Sequence, residues 1–168
     1  AAAGLEWYEV SNWARPGYES QHNLGYWRNV DWAGLGPGAH SHYDAAALSE
    51  RGTARRGQAD GEDSATALRS WDIAHPRLWG SAISEGGIPW AGSENITVEE
   101  NLEETIMLGL RIREGLDIAR LGNAIAETTW RELEHDGLIT IEHHHAIPTL
   151  RGRLLNDTII AKLLESLD

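Results

Sequence analysis

The chain has 168 residues, 41% of them apolar and 24% charged, with a formal net charge of −12 and no cysteine. That balance describes a globular chain with one ordinary core, or one small core plus an extension. It excludes a disulfide framework, a thiolate zinc site and any iron–sulfur cluster held by this chain itself. Clustered cations are what phosphate binding needs, and Lys162 is the single lysine, so nucleic acid is not an expected partner. No run of 18 apolar residues or N-terminal leader pattern occurs, so neither a membrane span nor a signal peptide is expected.

In chain order, Ala1–Gly4 reads as a helix tail with a glycine cap and Leu5–Val10 as a strand. A helix running directly into a strand is half of a βαβ unit, so the chain reads as starting inside an α/β architecture. Residues 14–31 read as loop, with Pro16-Gly17 as a turn. Asp31 to His42 reads as a buried strand and its following turn, and residues 44–67 as a small, polar excursion or linker. His75-Pro76 opens a short helix ending near Gly86-Gly87.

Thr97-Val98-Glu99-Glu100 is a capping box, starting a helix that runs to about Glu114 with Leu102, Ile106, Met107 and Leu110 on or near one stripe. Asp117 caps a short helix, and Thr128–Asp136 forms another, stopped by Gly137 with Leu138 as the hydrophobe beyond. Two strands flank His143-His144-His145, and Gly152–Leu167 reads as a closing helix. Three helices, a hairpin and a closing helix make a winged-helix-like domain. Its third helix is too acidic (Glu127, Glu132, Glu134, Asp136) to recognise DNA, which leaves it a packing role.

Candidate chemistry concentrates between His22 and Tyr43. His22-Asn23-x-x-Tyr26-Trp27 offers an imidazole, an amide and two rings, a set suited to a flat ligand or a metal. Its bland alternative is a loop histidine bonded to backbone. Gly34-x-Gly36-x-Gly38-Ala39-His40 reads either as tight strand packing or as a strand end where main chain touches a cofactor. His40 and His42, two apart on a strand, share a face and with Asp31 or Asp44 form a weak metal pattern. Three consecutive histidines at 143–145 cannot converge on one metal from a regular strand, so they read as a solvated wing. No Gly-x-Ser-x-Gly elbow and no P-loop occurs.

Taken together these blocks resemble the C-terminal part of the oxygen-independent coproporphyrinogen III oxidase-like radical-SAM family, in its HemW-type haem-chaperone branch. The carriers are Tyr8–Gly17, His22-Asn23-x-x-Tyr26-Trp27, Gly34–His40, Trp71-Asp72-Ile73-x-His75-Pro76, Met107–Arg111, Glu114-Gly115-Leu116 and Leu150–Leu155. The resemblance implies an α/β fold (α+β for this stretch taken as a fragment). Its parts would be the last strands of a partial radical-SAM (β/α) barrel over 1–43, the 44–67 linker, and the winged-helix-like domain over 68–168.

The resemblance also implies haem or porphyrin binding through His22, Asn23, Tyr26 and Trp27, with His22 the axial ligand of the haem iron. Gly36, Gly38, Ala39 and His40 would pass beside S-adenosylmethionine. The family's [4Fe–4S] cluster sits on an upstream Cys-x3-Cys-x2-Cys that this chain does not contain, so radical chemistry belongs to a longer parent and this chain alone is expected to be inactive. The implied setting is cytoplasmic, with a haem-accepting protein as partner and self-association through unpaired barrel edges. A coproporphyrinogen III oxidase fragment and a purely structural or interaction domain are the alternatives.

Overall fold

The computed structural model describes residues 4–44 and 66–167. Packing divides the chain into two compact units, one built from residues up to 29 and from 102 onward, the other from residues 30–101. The excursion read at 44–67 falls almost wholly outside the described residues, as do the first three residues of the N-terminal helix tail; Gly4, its cap, holds φ +68.

In the first unit, β1 (Glu6–Glu9) lies inside the predicted strand and turns back to pair antiparallel with β2 (Asn12–Ala14). The segment read as loop from 14 to 31 contains a helix, α1 (Gln21–Trp27). Ser20 caps it, its Oγ accepting the Asn23 N–H at 3.3 Å. The helix escapes a periodicity search because it is two turns long and buries only Leu24 outright, with Trp27 half-buried beside it.

α3 (Val98–Gly109) starts at the predicted box: the Thr97 N–H donates to Glu100 Oε2 at 2.8 Å and the Glu100 N–H to Thr97 Oγ1 at 3.2 Å. The helix stops at Gly109, short of the predicted Glu114. A Cβ on Gly109 would meet Leu116 Cδ1 at 2.9 Å, so the chain crosses itself closely there. Beyond it, Leu110 enters one apolar cluster and Ile112 another.

β6 (Leu116–Asp117) leads into a 3-10 turn, Ile118–Leu121, capped as predicted by Asp117 accepting the Ala119 N–H at 3.0 Å. α4 (Glu127–His135) ends in a Schellman motif: Gly137 at φ +66, its N–H on the Glu134 carbonyl, and the Leu138 N–H on the Leu133 carbonyl. β7 (Ile139–Glu142) and β8 (His145–Pro148) form the wing, and β6 completes an antiparallel sheet in the order β6-β8-β7.

The predicted closing helix is two helices, α5 (Leu150–Leu154) and α6 (Asn156–Leu164), broken at Leu155, whose φ −117 and ψ 28 leave the helical region; within α5 a Cβ on Gly152 would fall 1.8 Å from the Leu138 carbonyl oxygen. The main core gathers Ile106, Leu110, Leu116, Leu133, Ile139, Ile159 and Leu163, all at most 2% exposed. A smaller cluster holds Tyr8, Ala14, Leu24 and Ile112, with Trp27 against it.

In the second unit, β3 (His40–Asp44), β4 (Ala67–Asp72) and β5 (Trp90–Ile96) form an antiparallel sheet with β4 central, and α2 (Pro76–Ser84) follows β4. The strand placed over 31–42 is therefore later than read, and the turn precedes it. Ala39 N–H bonds the Gly36 carbonyl at 3.1 Å across Pro37-Gly38, with Gly38 at φ +72, which is the pattern of a type II turn. β4 and β5 carry no strand signal, since β5 is largely polar and exposed and β4 presents only a few apolar side chains.

Candidate haem-facing helix

The helix α1 takes its shape from Ser20 at its start, Leu24 buried at 5% exposure, and a cation at its end. Arg28, the C-cap, donates from Nε to Glu114 Oε2 at 3.0 Å and from Nη2 to Glu114 Oε1 at 2.5 Å. That hydrogen bond raises the Arg28 pKa above its ordinary value, the more so for the carboxylate's charge, against a smaller cost of burial. Arg120 Nη1 donates to the Arg28 carbonyl at 2.7 Å, so positive charge gathers where the helix dipole is negative.

At about 100° per residue, His22 and Tyr26 project from nearly the same side of α1, and Leu24 from the far side. The rings of His22 and Tyr26 meet edge to face, centroids 4.7 Å apart at 83°. Both side chains are exposed. Among the described residues nothing hydrogen-bonds to the His22 imidazole, so a ring nitrogen is available to a ligand. Asn23 and Trp27 lie round the helix, about 100° and 140° from His22. Trp27 packs into the cluster of Tyr8, Ala14, Leu24 and Ile112, and the Arg111 guanidinium stands 5.8 Å from its ring centroid.

The structure thus brings His22 and Tyr26 together and gives Trp27 an anchoring position. Arg28, Glu114 and Arg111 were not read as site residues from sequence, although Arg111 and Glu114 lie in blocks that carry the resemblance. A helix read through to Glu114 hides the turn that brings Arg111 to Trp27.

The other four predicted site residues lie in the second unit. Gly36 holds φ +125 and Gly38 φ +72, conformations that favour glycine. A Cβ on Gly34 would sit 1.9 Å from the His40 carbonyl oxygen. The glycines therefore have local reasons to be glycine. Main-chain groups here are largely taken up within the unit. The Gly38 N–H bonds the Ile73 carbonyl, the Ala39 N–H the Gly36 carbonyl, and the Ala39 carbonyl accepts the Asp72 N–H at 2.8 Å.

His40 is exposed while His42 is buried, and the Asp31 carboxylate accepts the Asp44 N–H at 2.7 Å. No group of three or more metal-ligating side chains occurs among the described residues, so the weak metal pattern of His40 and His42 gains no support. His143 and His144 form the two-residue turn of the wing at φ 50 and 65, both exposed. No described helix is long and apolar enough to cross a membrane.

Comparison with known proteins places these features. Residues 96–155 match the family model of the HemN C-terminal domain. Heme chaperone HemW of Mycobacterium tuberculosis H37Rv is 37% identical over 98% of this chain, which covers 36% of that protein. Heme chaperone HemW of Bacillus subtilis is 28% identical over 99% of the chain and 40% of its own length. The chain therefore spans some two fifths or less of these curated relatives.

Among solved structures, coproporphyrinogen III oxidase (HemN) from Escherichia coli, a radical SAM enzyme, matches at a TM-score of 0.54 and 15% identity over 99% of this chain and 38% of that one. That likeness concerns the fold. With the domain match and relatives aligned along almost all of its residues, the chain belongs to the coproporphyrinogen III oxidase-like radical-SAM family, in its HemW branch.

Proposed function

We propose that this chain supplies the haem-holding part of a HemW-like haem chaperone, with His22 as axial ligand to the haem iron and Tyr26 beside it. The observation that carries the reading is the paired, exposed His22 and Tyr26 on a helix whose opposite face is anchored. A neutral imidazole is a proper haem ligand, and its exposure suits a cargo that must be passed on. The edge of the Tyr26 ring limits how the imidazole swings, so His22 meets the iron in a restricted orientation. Asn23 and Trp27 act from the flanks, Trp27 chiefly by holding α1 in place. The names of the curated relatives favour this reading over the oxidase alternative, whose support lies in the fold.

The chain has no thiolate for a [4Fe–4S] cluster, so that group does not fit the residues present and no step is routed through it. In a longer parent, Gly36, Gly38, Ala39 and His40 are the proposed wall beside S-adenosylmethionine. With the Gly38 and Ala39 amides already bonded, that contact is by surface shape more than by main-chain donors. A cytoplasmic setting and transfer to a haem-accepting protein belong to the same proposal.

Titrating haemin into the chain and into His22→Ala tests it. A red-shifted Soret band that saturates in the parent chain and disappears, or weakens at least tenfold, in the variant is the expected result. Identical Soret shifts in the two overturn the assignment.

A further inference from the structure

We propose that Arg111 is the cationic anchor of this site, recognising the propionate carboxylates of a tetrapyrrole held at α1. The proposal rests on the haem reading above and names the ligand chemistry that the reading leaves open. In a chain with 26 acidic and 14 basic residues, arginines normally find carboxylates, and Arg28 and Arg113 do. Arg28 takes up Glu114 through both its oxygens, Arg113 pairs with Glu6, and Arg120 donates to the Arg28 carbonyl.

Arg111 differs from them. It is half-buried, stands over the Trp27 ring, and has no carboxylate partner among the described residues. A guanidinium within cation–π reach of an indole can keep the five N–H donors at its edge available. Those donors remain open to a partner, and a carboxylate, taken bidentately, is the one their geometry fits. Arg153 stands closer over the Trp7 ring, at 4.2 Å, but on α5 and β1 rather than on α1.

Trp27 lies five residues beyond His22, about 7.5 Å along the helix axis. A ligand whose metal sits on His22 must present its acidic rim sideways from that metal. Propionates are such a rim, set at one edge of the macrocycle away from the iron, and Arg111, 5.8 Å from the Trp27 ring, is the cation we set against it. The tyrosine edge and the guanidinium would then fix the macrocycle at two points.

The test compares haemin with its dimethyl ester, both presented in the same detergent micelles, to the full chain and to Arg111→Gln, Arg111→Lys and His22→Ala. The parent chain should prefer the free acid by roughly ten- to hundredfold, the scale of a charge-assisted pair. Arg111→Gln should abolish that preference while keeping a Soret band that depends on His22. Arg111→Lys, which keeps charge without the planar fork, should fall between.

A preference intact in Arg111→Gln overturns the anchor and leaves His22 standing. A preference lost in Arg111→Gln with a Soret band indifferent to His22→Ala overturns the axial-ligand reading and leaves the anchor. No effect of either substitution overturns both. If Arg111 served only to pack Trp27, its loss would weaken acid and ester alike, and the ratio would not move.

Discussion

The two apolar clusters of the first unit are built on opposite plans. Around Leu133 the chain buries thirteen residues from helices, wing and closing helix, and it leaves few of their neighbours a choice of position. Around Leu24 four residues are buried, contributed by β1, β2, α1 and the turn after α3, with Trp27 against them. Cohesion is concentrated in the large cluster. The small one gives just enough anchorage to hold up a two-turn helix whose outer face carries His22 and Tyr26. A helix this short is marginal by itself, so its order is borrowed from Leu24, Trp27 and the cation at its end. On the proposed function, the contrast puts the binding side chains where few contacts must be disturbed when a cargo enters or leaves.

The sharpest way to break that comparison is to truncate each cluster in turn. Leu133 is fully buried, so Leu133→Ala should cost about 3–4 kcal/mol by lost transfer and cavity. Thermal denaturation should show a large drop, with haem affinity per folded molecule unchanged. Leu24→Ala should cost less overall, about 2 kcal/mol, because the smaller cluster can collapse around the gap. It should nevertheless weaken haem binding several-fold by loosening α1. A Leu24→Ala chain that melts as early as Leu133→Ala, or one that binds haem normally, would remove the distinction between cohesive and presenting clusters.

Legibility in the sequence follows the same division. Thr97 with Glu100, Asp117, and Gly137 with Leu138 act within a few residues of themselves, so their signals survive without knowledge of packing. Helix ends set by distant neighbours do not. Gly109 closes α3 where Leu116 folds back against it, and the closing helix breaks at Leu155, just past the turn where Gly152 meets the Leu138 carbonyl. β4 and β5 gain strand geometry from pairing across the sheet, such as Leu68 with Asn95, which no local pattern announces. The His-Asn-x-x-Tyr-Trp pattern marks the site by resemblance, yet its geometry stayed hidden. Once 21–27 is read as loop, nothing tells that His22 and Tyr26 share a face and Trp27 does not.

A milder effect sharpens the comparison from the cohesive side. α3 carries Ile106 and Leu110 toward the large cluster, and its first turn depends on the Thr97–Glu100 box. Thr97→Ala should cost about 1 kcal/mol, read by denaturant titration, and should leave haem binding untouched.

The box also carries a pH signature. The Thr97 backbone N–H, then its hydroxyl, hold the Glu100 carboxyl below its ordinary pKa. A group depressed in the folded state stabilises fully above its unfolded value and loses that contribution as pH falls through the folded one. Stability should therefore decline on the acid side of the ordinary carboxylate range, and Glu100→Gln should flatten that part of the curve. Because the carboxylate is exposed, the change is small, and added salt should blunt only its coulombic part. If acid destabilised Glu100→Gln as steeply as the parent chain, the box would be ornamental to α3, and the cohesion of the large cluster would rest on burial alone.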